Sequence, residues 1–114
     1  MHRILVVEAN RNLRSLYKMI LSREGYDVTT VSDRESALDK ISDTDLLISD
    51  LDSPLVDSAK NLARYYRKKG NLKVIINTGY PLLPEQSKFY KADAVLTKTS
   101  NFDQLTSTIR TVLQ

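Results

Sequence analysis

Short apolar runs alternate with stretches of helical period five times along this chain, and that alternation leaves few folds open. Residues 3–8 read RILVVE, a brief continuous apolar run rich in β-branched side chains, which marks a strand buried on both faces. Further runs of this kind lie at 46–49 (LLIS), 72–77 (LKVIIN) and 94–97 (AVLT), with a more polar one at 27–31 (DVTTV) that suits a sheet edge. Strands alternating with helices call for a parallel sheet covered on both faces. Right-handed crossovers then leave the flavodoxin-like strand order 2-1-3-4-5 as the natural solution. The expectation is one α/β domain over residues 1–114.

The helical stretches carry their own signals. Leu13, Leu16, Tyr17, Ile20 and Leu21 fall at i, i+3, i+4, i+7 and i+8, a single apolar stripe. Asn10 or Asn12 can cap that helix, and Gly25 can supply the left-handed residue beyond its end. Ser32-Asp33-Arg34-Glu35 reads as a capping box, opening a helix with Ala37, Leu38 and Ile41 inward. A third helix is expected from Ser58, with Ala59, Leu62, Ala63 and Tyr66 inward, ended by Gly70. Pro81 and Pro84 leave room only for a short fourth helix over 84–91. Asn101 and Gln104 open the last, whose apolar residues are Phe102, Leu105, Ile109, Val112 and Leu113.

Composition closes several routes. The 114 residues contain no cysteine and only His2, beside the terminus, so thiolate chemistry, sulfur-built zinc sites and a Ser-His-Asp triad are excluded. No apolar run approaches the roughly 18 residues of a membrane span, and the N-terminus lacks the pattern of a signal peptide. A cytoplasmic, membrane-free domain is expected. With 17 basic and 14 acidic residues the net charge is +3, and the one basic run is 64–69 (RYYRKK). It reads as the solvated end of an amphipathic helix, where cations also favour the C-terminal dipole, so nucleic acid is not the expected partner. A flavodoxin-like cofactor is also disfavoured: 8–15 read EANRNLRS, without the glycine-rich cradle such a phosphate needs.

In a doubly wound sheet, ligands sit beyond the carboxyl ends of the strands. There the first strand delivers Glu8, the third Asp50, the fourth Asn77 and Thr78, and the fifth Thr97 and Lys98, with Asp52 in the following loop. ILVVE at 4–8, DLLISDLDSPLVD at 45–57, VIINTG at 74–79 and VLTK at 95–98 resemble the receiver domains of two-component response regulators over essentially the whole chain. That resemblance implies a phosphorelay signalling module, not an enzyme beyond accepting a phosphoryl group on its own aspartate. It makes Asp50 the phosphoacceptor, Thr78 the hydroxyl that binds the phosphoryl group, and Lys98 the ammonium that pairs first with the acid and then with the phosphate. It also implies magnesium held by Glu8, Asp50 and the backbone carbonyl of Asp52, and a histidine kinase or phosphotransfer protein as partner, with the downstream protein unspecified. The chemistry suits the residue types, since a carboxylate can attack phosphorus covalently and the reaction then needs little beyond positioning and charge.

The departures from the family are specific. Ala9 stands where receivers carry a second acid that contacts the metal, so magnesium binding should be weak or absent. Thr99 follows Lys98 in place of proline, and a non-proline cis bond costs about 2.5–4 kcal/mol, so a trans bond is expected. Val95 replaces the usual switch aromatic, with Tyr80 as a candidate relocated ring. Two functions remain open on the sequence: a receiver that accepts phosphate on Asp50 with weakened metal dependence, and a phosphorylation-independent pseudo-receiver acting through protein–protein contacts.

Overall fold

The structure is a computed structural model and describes residues 1–50, 71–81, 83–85, 92–99 and 101–114. In chain order the described elements are β1 (Arg3–Val7), α1 (Arg11–Arg23), β2 (Asp27–Val31), α2 (Arg34–Leu38), a 3-10 turn (Ile41–Asp43), β3 (Leu46–Asp50), β4 (Lys73–Thr78), β5 (Ala94–Thr97) and α3 (Asp103–Leu113). The helix expected from Ser58 to Gly70, the basic run at 64–69 and Asp52 lie outside the described residues. So does most of the short helix expected at 84–91, of which Pro84 and Glu85 are helical.

All five strands are parallel, in the order β2-β1-β3-β4-β5, as the alternation of runs required. β2, the most polar of them, is an edge. Side chains alternate across a strand, so each central strand feeds two cores. Ile4, Val6, Leu46, Ile48, Ile75 and Leu96 face Tyr17 and Leu21 of α1 and Leu105 and Ile109 of α3. Leu5, Leu47 and Val74 face the other way, against Ala37 of α2 and Ile41. Helices thus cover both faces, which is why the central strands read as continuous apolar runs.

The helix ends follow local chemistry, with four adjustments to the expectation. Asn10 caps α1 by accepting from the Leu13 N–H at 3.1 Å, and Gly25 takes φ +94° after it. Leu16 is not in the buried stripe: at 38% exposure it lies on the rim, while Tyr17 and Leu21 are buried and Leu13 is half-buried against them. The cap of α2 is Asp33, one residue later than the Ser32 box, with its carboxylate accepting from the Ser36 N–H at 2.8 Å. An aspartate's charge favours the positive N-terminus of a helix, so it outcompetes the adjacent serine. α2 is a short helix ending at Leu38, which is exposed, and Ile41 reaches the core from the 3-10 turn instead. At α3, Phe102 holds the cap position while Asn101 accepts from the Asp103 N–H at 2.9 Å.

One polar contact crosses the larger core. The buried Asn77 amide donates to the Tyr17 hydroxyl at 3.0 Å, and the Tyr17 ring packs edge-on against Phe102, centroids 5.8 Å apart. Burial pushes the Tyr17 phenol above its ordinary value, against the pull of the Asn77 amide. The unfolded phenol therefore ionises first, so the stabilisation is complete below about pH 10 and is lost as pH climbs through the folded pKa. Tyr17→Phe is expected to cost about 1 kcal/mol at neutral pH, because the buried amide loses its acceptor. The gap between parent and variant should narrow as pH rises beyond about 10. Urea midpoints for both proteins between neutral and alkaline pH check this, and a gap that stays constant would show that the phenol is not linked to folding.

Candidate functional site

The carboxyl ends of β1, β3 and β5 converge on a buried cluster of charge. Glu8 follows β1 and continues its pairing, the Glu8 N–H donating to the Val31 carbonyl at 3.0 Å. This holds the residue in the extended conformation that aims its side chain over the sheet end. Asp50 is the last residue of β3 and Lys98 the first after β5. Lys98 Nζ lies 2.8 Å from Glu8 Oε1 and 2.9 Å from Asp50 Oδ1, so one ammonium bridges two carboxylates. The two acids are almost fully enclosed, with side-chain exposures of 3% and 4%.

Each remaining oxygen has a backbone neighbour. Glu8 Oε2 accepts from the Asn10 N–H at 3.0 Å, and the Ala9 N–H reaches Asp50 Oδ2 at a long 3.5 Å. Arg14, reaching back from α1, donates through Nη1 to the carbonyls of Glu8 and Ala9, each at 2.9 Å, and so fixes the loop between β1 and α1. Thr78, the last residue of β4, is buried, and its carbonyl accepts from the Lys98 N–H at 2.6 Å. Its hydroxyl accepts from the Tyr80 N–H at 3.3 Å. The Lys98–Thr99 bond is trans, as expected without proline.

Among the described residues, the two acids and the lysine that meet here sum to −1. Burial is the main force on Glu8 and pushes its carboxyl above the ordinary value. Lys98 and the Asn10 N–H pull it back, while the nearby Asp50 adds to the push. In so enclosed a place the lysine matters doubly, since removing one partner from a buried pair costs about 3–5 kcal/mol through the stranded charge.

Magnesium takes oxygen ligands, one or two of them carboxylates, and keeps several waters. Glu8 and Asp50 are ligands of that type, but both already hold Lys98, and Ala9 offers no side-chain oxygen. Among the described residues no group of three acids, histidines or cysteines is assembled. Asp52, whose backbone carbonyl the sequence nominated, lies outside the described residues. Tyr80, the candidate relocated aromatic, is 48% exposed, and Val95 is half-buried.

Sequence reasoning brought Glu8, Asp50 and Lys98 to one place, and the structure joins them. It missed the Asn77–Tyr17 pair lying beneath them. The available signal was an asparagine closing an otherwise apolar run, opposite a tyrosine within an otherwise aliphatic helical stripe.

The response regulator receiver domain model matches residues 4–110. The transcriptional regulatory protein CpxR of Escherichia coli is 34% identical over 117 aligned positions, which take in 100% of this chain and 50% of CpxR. The response regulator ArlR of Staphylococcus aureus is 30% identical, again over 100% of this chain and 53% of ArlR. The chain thus spans about half the length of these regulators. Among solved structures, the response regulator TrrA of Thermotoga maritima in complex with Mg(2+)-BeF superposes with a TM-score of 0.86 at 34% identity, covering 99% of this chain and 100% of that one. TrrA in complex with the histidine kinase ThkA gives a TM-score of 0.84 at 34% identity, covering 100% of both. With sequence matching from β1 into α3 and the sheet order shared with these structures, the chain belongs to the response regulator receiver domain family.

Proposed function

We propose that this receiver accepts a phosphoryl group on Asp50 from a histidine kinase or a phosphotransfer protein, in the cytoplasm. The observation that carries the reading is the contact of Lys98 Nζ with Asp50 at 2.9 Å, on a carboxylate enclosed at the end of β3. The crystal structure of the relative TrrA with the kinase ThkA supports the partner class. An oxygen of Asp50 attacks phosphorus, the bond from phosphorus to the donor breaks, and the donor group leaves with the electron pair. The product is an acyl phosphate carrying new anionic oxygens. Lys98 shifts from carboxylate to phosphoryl oxygen as a point charge, and the Thr78 hydroxyl turns its hydrogen toward another. Glu8 keeps the ammonium anchored during the exchange. The phosphorylation-independent module is the competing reading; it is favoured by Ala9 and by the closed grip of Lys98 on both acids.

Acetyl phosphate decides between the two. Intact mass should rise by one phosphoryl group in the parent and stay unchanged in Asp50→Asn. A mass gain that survives the substitution on no other acid, or no gain in the parent, rejects Asp50 as acceptor.

The relative TrrA is solved with magnesium and beryllofluoride, and we propose that magnesium serves this receiver only weakly, because Ala9 has removed one carboxylate from the rim. Glu8, Asp50 and the Asp52 carbonyl are the remaining candidate ligands. Ala9→Asp moves the pocket from −1 to −2 and adds an oxygen, so it should tighten magnesium binding. Without metal the added charge opposes Glu8 and Asp50, and stability falls. Magnesium should then raise the melting temperature of the variant more than that of the parent, following the logarithm of ligand over dissociation constant. Equal shifts in both proteins would show that the vacancy is already filled by another ligand.

A further inference from the structure

We propose that the Asn77 side-chain amide is a further donor to the phosphoryl group on Asp50, held in reserve by its hydrogen bond to Tyr17. The inference deepens the reading of Asp50 as acceptor and rests on it. Asn77 and Asp50 are paired in register on β4 and β3. Neighbouring strands run about 4.8 Å apart. Two residues earlier on the same strands, Ile48 and Ile75 both enter the core under α1 and α3, so by the alternation of side chains Asp50 and Asn77 leave toward that same face. Both are buried, at 6% and 5% exposure.

A buried primary amide beside a carboxylate has a choice of acceptors. Among the described residues the Asn77 side chain bonds only the neutral Tyr17 hydroxyl, at 3.0 Å. Transfer of a phosphoryl group changes the competition. Asp50 Oδ displaces the donor group at phosphorus, that group departs with the electron pair, and anionic oxygens now project from the end of β3. A hydrogen bond to an ionised acceptor is roughly twice as strong as one between neutral partners, so the amide is drawn from Tyr17 to phosphate. A pocket of about 10 Å³, close to the volume one water needs, adjoins the pair and is lined by Tyr17, Asn77, Lys98, Thr99 and Phe102 among others. The Tyr17 hydroxyl, freed from the amide, can be satisfied there by water.

The test compares initial rates of acyl phosphate formation from acetyl phosphate, by intact mass, in the parent, Asn77→Leu, Tyr17→Phe and the double variant. Asn77→Leu should slow the reaction roughly tenfold, in keeping with the loss of one hydrogen bond to a charged group. Tyr17→Phe, which releases the amide from its neutral partner, should speed it. The double variant removes both polar partners at once and so leaves no stranded donor in the core; it should be as slow as Asn77→Leu. Opposite signs for the two single variants support the proposal, because a merely structural pair would lower both rates alike. In the parent, the Asn77 side-chain amide resonance should also move on phosphorylation. Equal losses in the two single variants, or an unmoved amide resonance, overturn the proposal while leaving Asp50 as acceptor. No phosphorylation of the parent overturns both.

Discussion

Everything at the functional end of this domain is organised by one ammonium closed between two enclosed carboxylates. Lys98 meets Glu8 at 2.8 Å and Asp50 at 2.9 Å, and the three residues stand at the ends of three different strands. Burying a carboxylate is costly unless it is paired, and the ammonium supplies each acid with a partner. The lysine thereby spans both acids while occupying one oxygen of each. The bridge thus restrains two side chains through a single cation.

The sheet is the frame that makes this bridge possible. Parallel pairing puts the ends of β1, β3, β4 and β5 on one edge of the domain, and register sets Asp50 beside Asn77 and Thr78 beside Thr97. The two apolar faces leave no freedom to slip, because a shift of one residue would exchange Ile48 for Leu47 and turn Asp50 away from the lysine. Core packing and site geometry are therefore one constraint. Arg14 adds a tie from α1, fixing the two carbonyls that follow β1 while the adjoining amides face the acids.

The sheet and its end cluster were legible in the sequence because both depend on short-range pattern. Continuous apolar runs announced buried strands, and Glu8, Asp50 and Lys98 stood out as the first charges after them. Helix boundaries were less legible where two good caps were adjacent, as at Ser32 and Asp33, since the winner depends on a dipole field rather than on residue type alone. Leu16 and Leu38 illustrate another limit: a helical stripe shows which residues share a side but not where its rim falls. The Asn77–Tyr17 contact joins residues 60 positions apart, and no periodicity reports on such a meeting.

Separation along the chain has a final consequence at the bridge itself. Asp50 and Lys98 are 48 positions apart, and Glu8 lies farther still from the lysine. Contacts of that span form only after the intervening chain has closed its loop, late in the ordering of a parallel sheet. A growing or unfolded chain thus carries ordinary solvated carboxylates with no ammonium beside them. The bridge comes into being with the last strand, and a molecule that holds it is one whose sheet is already complete.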